Sequence, residues 1–240
     1  SLAALLVHLD ALGILPGIAI AGDRLVLALI LGILLLVAGR VMPFFTRSAI
    51  PGATPVTRAW VESGTLGLWG LWTLGDTTGW VPELTGGVAL ALAALQALRL
   101  ADWHHPGAWR IPILAVLYAG YLWLVLGIGL NGLAHLGLLP SFPALHALTV
   151  GAIGVFTIGM MSRVTLGHTG RPMIAPPAMV AAFWALNLAA AVRVAGPLLW
   201  PAAYGGSLIL SGLLWGLAFA LFLWVHGPML VSARADGRPG

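Results

Sequence analysis

The stretch from Pro143 to Met161 constrains the fold most strongly, because it carries no charged side chain and ends just before Arg163. About 20 apolar residues of helix cross the hydrocarbon core of a bilayer, and a following arginine marks the end of such a span. Seven further apolar stretches resemble it. The eight candidate spans lie at residues 2–21, 24–39, 60–75, 82–98, 111–135, 143–162, 176–194 and 205–226.

These stretches predict an all-α fold, a polytopic transmembrane helical bundle of about eight spans that forms a single domain over residues 1–240. The first stretch holds His8, Asp10 and Pro16 and the third holds Glu62, so these two are the weakest. Seven spans is the alternative if the first segment lies at the membrane surface. Composition agrees, because 60% of the residues are hydrophobic and only 8% are charged.

The residue types exclude several kinds of site. The chain has no cysteine, so disulfides, iron–sulfur clusters and cysteine-bound zinc are excluded. Any metal must be held by histidine, methionine, carboxylate or backbone oxygen. The positive charge comes from arginines without a basic helix or an aromatic-rich basic patch, so we expect membrane lipid and no nucleic acid as a partner.

The arginines indicate how the chain is oriented. If the spans alternate, nine of the eleven arginines fall on one side of the membrane, which we call the arginine-rich side. The arginine-poor side has only Arg24 and Arg193. Because positive residues accumulate in cytoplasmic loops, the pattern predicts an inner-membrane protein with both termini in the cytoplasm. The arginine-rich set is Arg40, Arg47, Arg58, Arg99, Arg110, Arg163, Arg171, Arg234 and Arg238.

Two connections on the arginine-rich side contain unusual residues. Prolines within residues 39–55 indicate that helix does not continue there. Residues 99–110 place His104 and His105 beside Asp102. This segment is either an interfacial loop with solvated histidines or, if a turn brings the two rings together, a site where both histidines bind one ligand. His226 ends the last span, where helix capping or solvation is favoured over ligation.

The strongest candidate ligands lie around the fifth and sixth spans. His146, Val150, Ile153, Thr157 and Met160 share one stripe at a period of 3.6 residues, which indicates one inward face. His135 ends the fifth span, so a short connection would bring it to a depth similar to that of His146. The pair could ligate one iron or copper, or each ring could bond a carbonyl at a helix end. A short loop follows Arg163, in which glycines and Arg171 flank His168.

Two runs carry a resemblance to a known family. GRVMPFFT at 39–46, and LHALTVGAIG with MMSRVTLGHTGRP within 145–172, resemble the NnrS family, and GYLWLVLGIGL at 120–130 resembles it more loosely. The matched positions are Arg40, Pro43, Phe44, Phe45, His146, Thr149, Arg163, Leu166, Gly167, His168, Thr169, Gly170 and Arg171. Members usually have more spans, so this chain resembles their carboxy-terminal part. A histidine expected just before the Gly120–Tyr121 pair is Tyr118 here.

The resemblance implies a bacterial membrane protein of the nitric-oxide and nitrosative-stress response that binds haem and copper. Haem needs an apolar slot, imidazole and cations for its propionates. His146, His135 and His168 are then the candidate iron ligands, with Arg163 and Arg171 at the propionates. Copper would be held by His168 with Met160 or Met161.

We therefore expect a protein that binds or redox-processes nitric oxide or iron-nitrosyl species. The alternatives are a small-molecule or metal transporter and a structural membrane subunit without a cofactor. The sequence indicates neither an oligomeric state nor a redox partner.

Overall fold

The computed structural model describes residues 2–14 and 17–238, and this part of the chain is helical without strands. It contains eight helices. They are α1 (Leu2–Ala11), α2 (Ala19–Ala49), α3 (Ala59–Thr78), α4 (Pro82–Trp103), α5 (Pro112–His135), α6 (Phe142–His168), α7 (Pro177–Leu199) and α8 (Tyr204–Leu230). Short 3₁₀ turns lie at Pro106–Arg110 and Pro201–Ala203.

The predicted all-α membrane bundle is confirmed. By length and composition, six helices of the described chain could cross a membrane: α2, α4, α5, α6, α7 and α8. Helix α3 has 20 residues, enough for about 30 Å at 1.5 Å per residue, but it is less apolar. The described chain thus has six candidate spans, fewer than the eight predicted and the seven of the alternative.

The first predicted span is wrong in its extent. Helix α1 has ten residues, ends at Ala11 and packs along α2, which begins only at Ala19. Ten residues of helix rise about 15 Å, half of a hydrocarbon core. The turn that interrupts the predicted 2–21 helix includes Gly13 with φ 69°. Pro16 lies outside the described residues.

Several helices run further than the sequence predicts. Helix α2 continues through Pro43 to Ala49, and α6 continues past Arg163 to His168, so the predicted loops at 39–55 and after Arg163 begin too early. A proline inside a membrane helix is tolerated because neighbouring helices and side chains re-satisfy the backbone. Pro43 is itself buried in the bundle.

Helix α5 is the central element and packs most extensively against α4 and α6. Its glycines allow close approach: a Cβ added at Gly120 would lie 2.7 Å from the backbone nitrogen of Phe156 in α6. Gly132 similarly faces the backbone of Gly86 in α4. Small residues at such contacts are typical of membrane helix pairs.

Helix α6 contains a π-helical stretch at Ala147–Val155. Because i→i+5 turns hold more residues than α-turns, they rotate every later side chain relative to an ideal α-helix. The predicted stripe from His146 to Met160 therefore does not form. Thr157 is exposed, Ile153 lines a cavity, and half-buried His146 lies near the charge of Arg193 on α7.

Candidate functional site

A polar cluster lies at the arginine-poor end of the bundle, where α2 begins and α3 and α5 end. His135 Nε2 lies 2.8 Å from Asp76 Oδ1, and Asn131 Nδ2 donates to the same oxygen at 3.2 Å. Trp72 Nε1 donates to Asn131 Oδ1 at 2.8 Å. Arg24 donates from Nη1 to the Asp76 carbonyl at 2.8 Å. Residues of α2 and α5 therefore both bind Asp76 of α3.

This cluster forms one wall of a cavity of about 630 Å³ between α2, α3, α5 and α6. The remaining walls are mainly apolar. The apolar lining side chains include Ile20, Val26, Leu27, Ile30, Leu145, Leu148 and Ile153, and the polar ones include Asp23, Arg24, Asp76, Asn131, His135, Ser141 and Thr149. The cavity thus combines one imidazole, one guanidinium, two carboxylates and a largely hydrocarbon surface.

Helical spacing explains how the cluster forms. Trp72 and Asp76 are four residues apart on α3, and Asn131 and His135 are four apart on α5, so each pair occupies one helix face. Sequence reasoning singled out His135 as a candidate ligand but missed Trp72 and Asp76. The signal for Trp72 and Asp76 was a carboxylate and an indole on one face of an apolar helix, since ionisable residues within a bundle usually pair with one another.

The Asp76–His135 pair has a specific chemical consequence. The two side chains are 12% and 14% exposed, so the carboxylate is mostly removed from solvent. A carboxylate that accepts the proton on Nε2 leaves the lone pair on Nδ1, and fixes the orientation of the ring. Ligating histidines in metal sites commonly have such a second partner. In that tautomer, His135 Nδ1 carries the lone pair that a metal would need.

The structure does not bring His135 and His146 into one site. His135 belongs to the cavity wall, whereas His146 is absent from that wall. Within the described residues, no group of three or more histidine, aspartate or glutamate side chains is arranged to hold a bare metal ion. A cofactor that itself supplies most of the iron ligands would need only one imidazole.

The other predicted residues lie at the arginine-rich end, where the carboxy-terminal tail docks. His168 is exposed, and its carbonyl accepts a hydrogen bond from Arg234 at 2.8 Å. Arg171 donates to Ser232 at 3.1 Å, and the backbone nitrogen of Ala235 donates to Thr169 at 2.9 Å. The GHTGR run of the sequence thus has an observed structural role, which is to hold the tail.

Two more predicted residues lie deeper on α6 than this tail contact. Arg163 is buried, and its guanidinium carbon lies 3.7 Å from the centre of the Phe45 ring of α2. Met160 is half-buried and packs against the apolar core. Both are therefore at the opposite end of α6 from the cavity.

Arg99 was predicted to begin a loop but lies buried inside α4. Its Nε donates to Glu62 Oε1 at 2.8 Å, and Nη2 pairs with the second oxygen of that carboxylate. Nη1 donates to the Leu35 carbonyl at 3.0 Å and to the Tyr121 hydroxyl at 3.2 Å. Gly39 makes room, since a Cβ there would collide with the guanidinium. Arg99 thereby joins α2, α3, α4 and α5.

The remaining histidines have local environments of their own. His104 accepts a hydrogen bond from Trp109 at 2.9 Å, and His105 accepts one from the Gly107 nitrogen at 3.1 Å. Asp102 pairs instead with Arg58 at 2.7 Å. His226 is fully buried, stacks on Phe222 and is followed by helix to Leu230, so it is neither solvated nor at a helix end as predicted.

Tyr118, at the position where the resemblance led us to expect histidine, is fully buried. Its hydroxyl donates to the Trp103 carbonyl at 2.6 Å and lies 2.8 Å from the Thr46 hydroxyl. The phenol therefore connects α5 to α2 and α4. It lies toward the opposite end of α5 from the His135 cavity.

Together these features define a class: an α-helical integral membrane protein whose bundle has, at its arginine-poor end, a largely apolar cavity with a polar wall that contains His135. The family model described as NnrS protein matches residues 1–234, so the chain belongs to the NnrS family. Searches of curated proteins and of solved structures give no match to this chain.

Proposed function

We propose that this NnrS family member binds haem in the His135 cavity and acts on nitric oxide or iron-nitrosyl species in the bacterial inner membrane. The observation that carries the proposal is the Asp76–His135 pair at 2.8 Å in the wall of a largely apolar cavity. The family resemblance supplies the nitric-oxide context. The cavity supplies a place for the porphyrin.

The lining residues fit the needs of a haem. The porphyrin face needs an apolar slot, which the aliphatic side chains of α2 and α6 supply. The iron needs a neutral imidazole, and His135 has its second nitrogen free of the Asp76 bond. The propionates need a cation, and Arg24 lies at the cavity wall with only one of its donors bound to the Asp76 carbonyl.

Each residue has a separate task in this proposal. Asp76 holds the proton on His135 Nε2, and Asn131 and Arg24 hold Asp76 in place. Trp72 orients Asn131 and closes the wall. Bound haem would supply the iron centre at which nitric oxide binds or is reduced. The apolar walls limit access of water to that centre.

Copper, which the resemblance implies, is proposed as a second metal with His168 as a ligand. Met160 lies eight residues earlier on the same helix, about 12 Å along its axis, which is too far for the two side chains to share one ion. Elemental analysis of purified protein before and after a His168→Ala substitution tests this. Loss of stoichiometric copper supports His168 as a ligand, and unchanged copper contradicts it.

We propose that the arginine-rich end faces the cytoplasm. Arg99 and Arg163 are buried in the bundle and are left out of the comparison, but Arg40, Arg47, Arg58, Arg110, Arg171, Arg234 and Arg238 still outnumber Arg24 and Arg193. The positive-inside rule then puts the His135 cavity on the periplasmic side.

Visible absorption of the detergent-purified protein tests the haem site. A Soret band should be present in the wild type, be lost or shifted in His135→Ala, and remain in His146→Ala. His146 is the matched control because it lies near the start of α6, at the same end of the bundle, without lining the cavity. Nitric oxide should then change the wild-type spectrum. A colourless folded protein that takes up no added haemin would contradict the proposal and favour transport or a structural role.

A further inference from the structure

Two arginines are buried within spanning helices, and only one of them is neutralised. Arg99 is 3% exposed and pairs with Glu62. Arg163 is 9% exposed, and within the described residues it has neither an ion pair nor a hydrogen bond; its Nη1 is fully buried and unpartnered. Its neighbour is the face of the Phe45 ring, which attracts the cation but offers no acceptor for its N–H groups.

Among residues 2–14 and 17–238, no acidic side chain is free to neutralise Arg163. Five of the seven acidic side chains are engaged elsewhere, namely Asp10, Glu62, Asp76, Asp102 and Asp236. Asp23 and Glu83 are exposed near the starts of α2 and α4, at the opposite end of the bundle. A charge removed from water and left without a partner is strongly unfavourable, so an external anion is expected at Arg163.

The position of Arg163 indicates where the anion comes from. Arg163 lies five residues before the end of α6, about 7 Å below that end. On the same turns Met161 and Val164 are exposed, at 37% and 48%, and Phe44 is exposed next to Phe45 on α2. These apolar surfaces face acyl chains in a bilayer, so an anion at this depth arrives on a lipid rather than from water.

We propose that Arg163 binds the phosphate of an anionic phospholipid in a site between α2 and α6. The guanidinium supplies charge-assisted N–H donors that suit phosphate oxygens, and the Phe45 ring packs on its face. Phe44 and Val164 pack against the acyl chains. The site is at the arginine-rich end, opposite the His135 cavity, so it does not depend on haem binding.

The test is a lipid titration of delipidated protein in detergent, followed by thermal unfolding. Phosphatidylglycerol should raise the unfolding temperature of wild type, whereas phosphatidylcholine and inorganic phosphate should not. In Arg163→Gln the apparent affinity for phosphatidylglycerol should fall by about tenfold or more, because a charge-assisted hydrogen-bond pair is lost. Arg47→Gln, which removes an exposed arginine of α2, should respond like wild type.

Three results of the lipid titration would overturn the proposal. They are a response of Arg163→Gln to phosphatidylglycerol equal to that of wild type, or a wild-type shift with inorganic phosphate or with phosphatidylcholine equal to that with phosphatidylglycerol. A second readout separates lipid binding from a structural role. Without lipid, Arg163→Gln should unfold at a higher temperature than wild type, because the unpaired charge is gone; a lower temperature would mean that the chain itself satisfies Arg163. If Arg163→Gln does not fold, native mass spectrometry of wild type and Arg163→Lys decides: one retained phosphatidylglycerol supports the site, and none contradicts it.

Discussion

At the scale of single residues, Asp76 shows how a carboxylate is accommodated inside an apolar bundle. Its Oδ1 accepts from His135 and Asn131, and its carbonyl accepts from Arg24. Every buried polar atom of such a network matters, because an unsatisfied one costs about 1–3 kcal/mol. The network fixes one rotamer of His135 and so one direction for its free nitrogen.

Asp76→Asn should therefore weaken haem binding without unfolding the protein. An amide cannot stabilise the proton on His135 Nε2 as a carboxylate does, and loss of such a partner typically costs about 10–100-fold in affinity at metal sites. Haemin titration followed at the Soret band measures the change. Asp23→Asn removes an exposed carboxylate from the same cavity and should bind as wild type does. Equal affinity in Asp76→Asn and wild type would exclude the positioning role.

The buried guanidinium of Arg99 should contribute to stability in a way that exposed arginines do not. Arg99→Gln leaves the Leu35 carbonyl and the Tyr121 hydroxyl without this donor and should lower the free energy of unfolding by about 1–3 kcal/mol. Arg58→Gln breaks an exposed pair with Asp102 and should change it little. Denaturant unfolding in detergent compares the two variants. A similar small effect of both would show that the Arg99 network is not a stabilising element.

The docked tail should respond to acid. Hydrogen bonds from Arg234 lower the pKa of Asp236 from 3.8 to about 2. Since the folded pKa is depressed, the stabilisation of the tail is complete above about pH 4 and is lost as pH falls toward 2. Carboxyl chemical shifts in an NMR titration should show this pKa, and Arg234→Gln should return it toward 3.8. An unshifted pKa in wild type would mean that the Arg234–Asp236 pair does not form.

At the scale of helices, the sequence predicted which segments are helical better than where they end or which way they face. Long apolar stretches are unambiguous because they must satisfy their backbone internally in lipid. The π-helical stretch of α6 has no comparable signal, and it rotated the residues after His146 out of the predicted stripe. Pro43 was likewise interpreted as a helix end although α2 continues through it.

The contact between α5 and α6 gives a prediction at this scale. Gly120→Ala puts a methyl group against the backbone of Phe156 and should destabilise the protein by about 1–3 kcal/mol. Gly129→Ala lies on the same helix with its nearest neighbour at 3.8 Å, and should be neutral or stabilising by up to about 1 kcal/mol. Unfolding in detergent measures both. If the order of the two effects were reversed, α5 and α6 would not pack as described.

At the scale of the whole molecule, the two ends of the bundle have different chemistry. The arginine-poor end holds the His135 cavity, and the other end holds the docked tail and Arg163. The sequence predicted His135 as a candidate ligand but paired it with His146. It did not indicate Asp76, because only tertiary contacts between α3 and α5 bring Asp76 to His135. Partners that are 59 residues apart leave no local pattern.

The most direct test of the account is rescue of a His135→Gly variant with free imidazole. We expect that haemin added to this variant does not give the wild-type Soret spectrum. Imidazole in the buffer should restore that spectrum by occupying the vacated space next to Asp76. His146→Gly should need no rescue. A His135→Gly spectrum identical to that of wild type without imidazole would contradict the assignment of the cavity as the haem site.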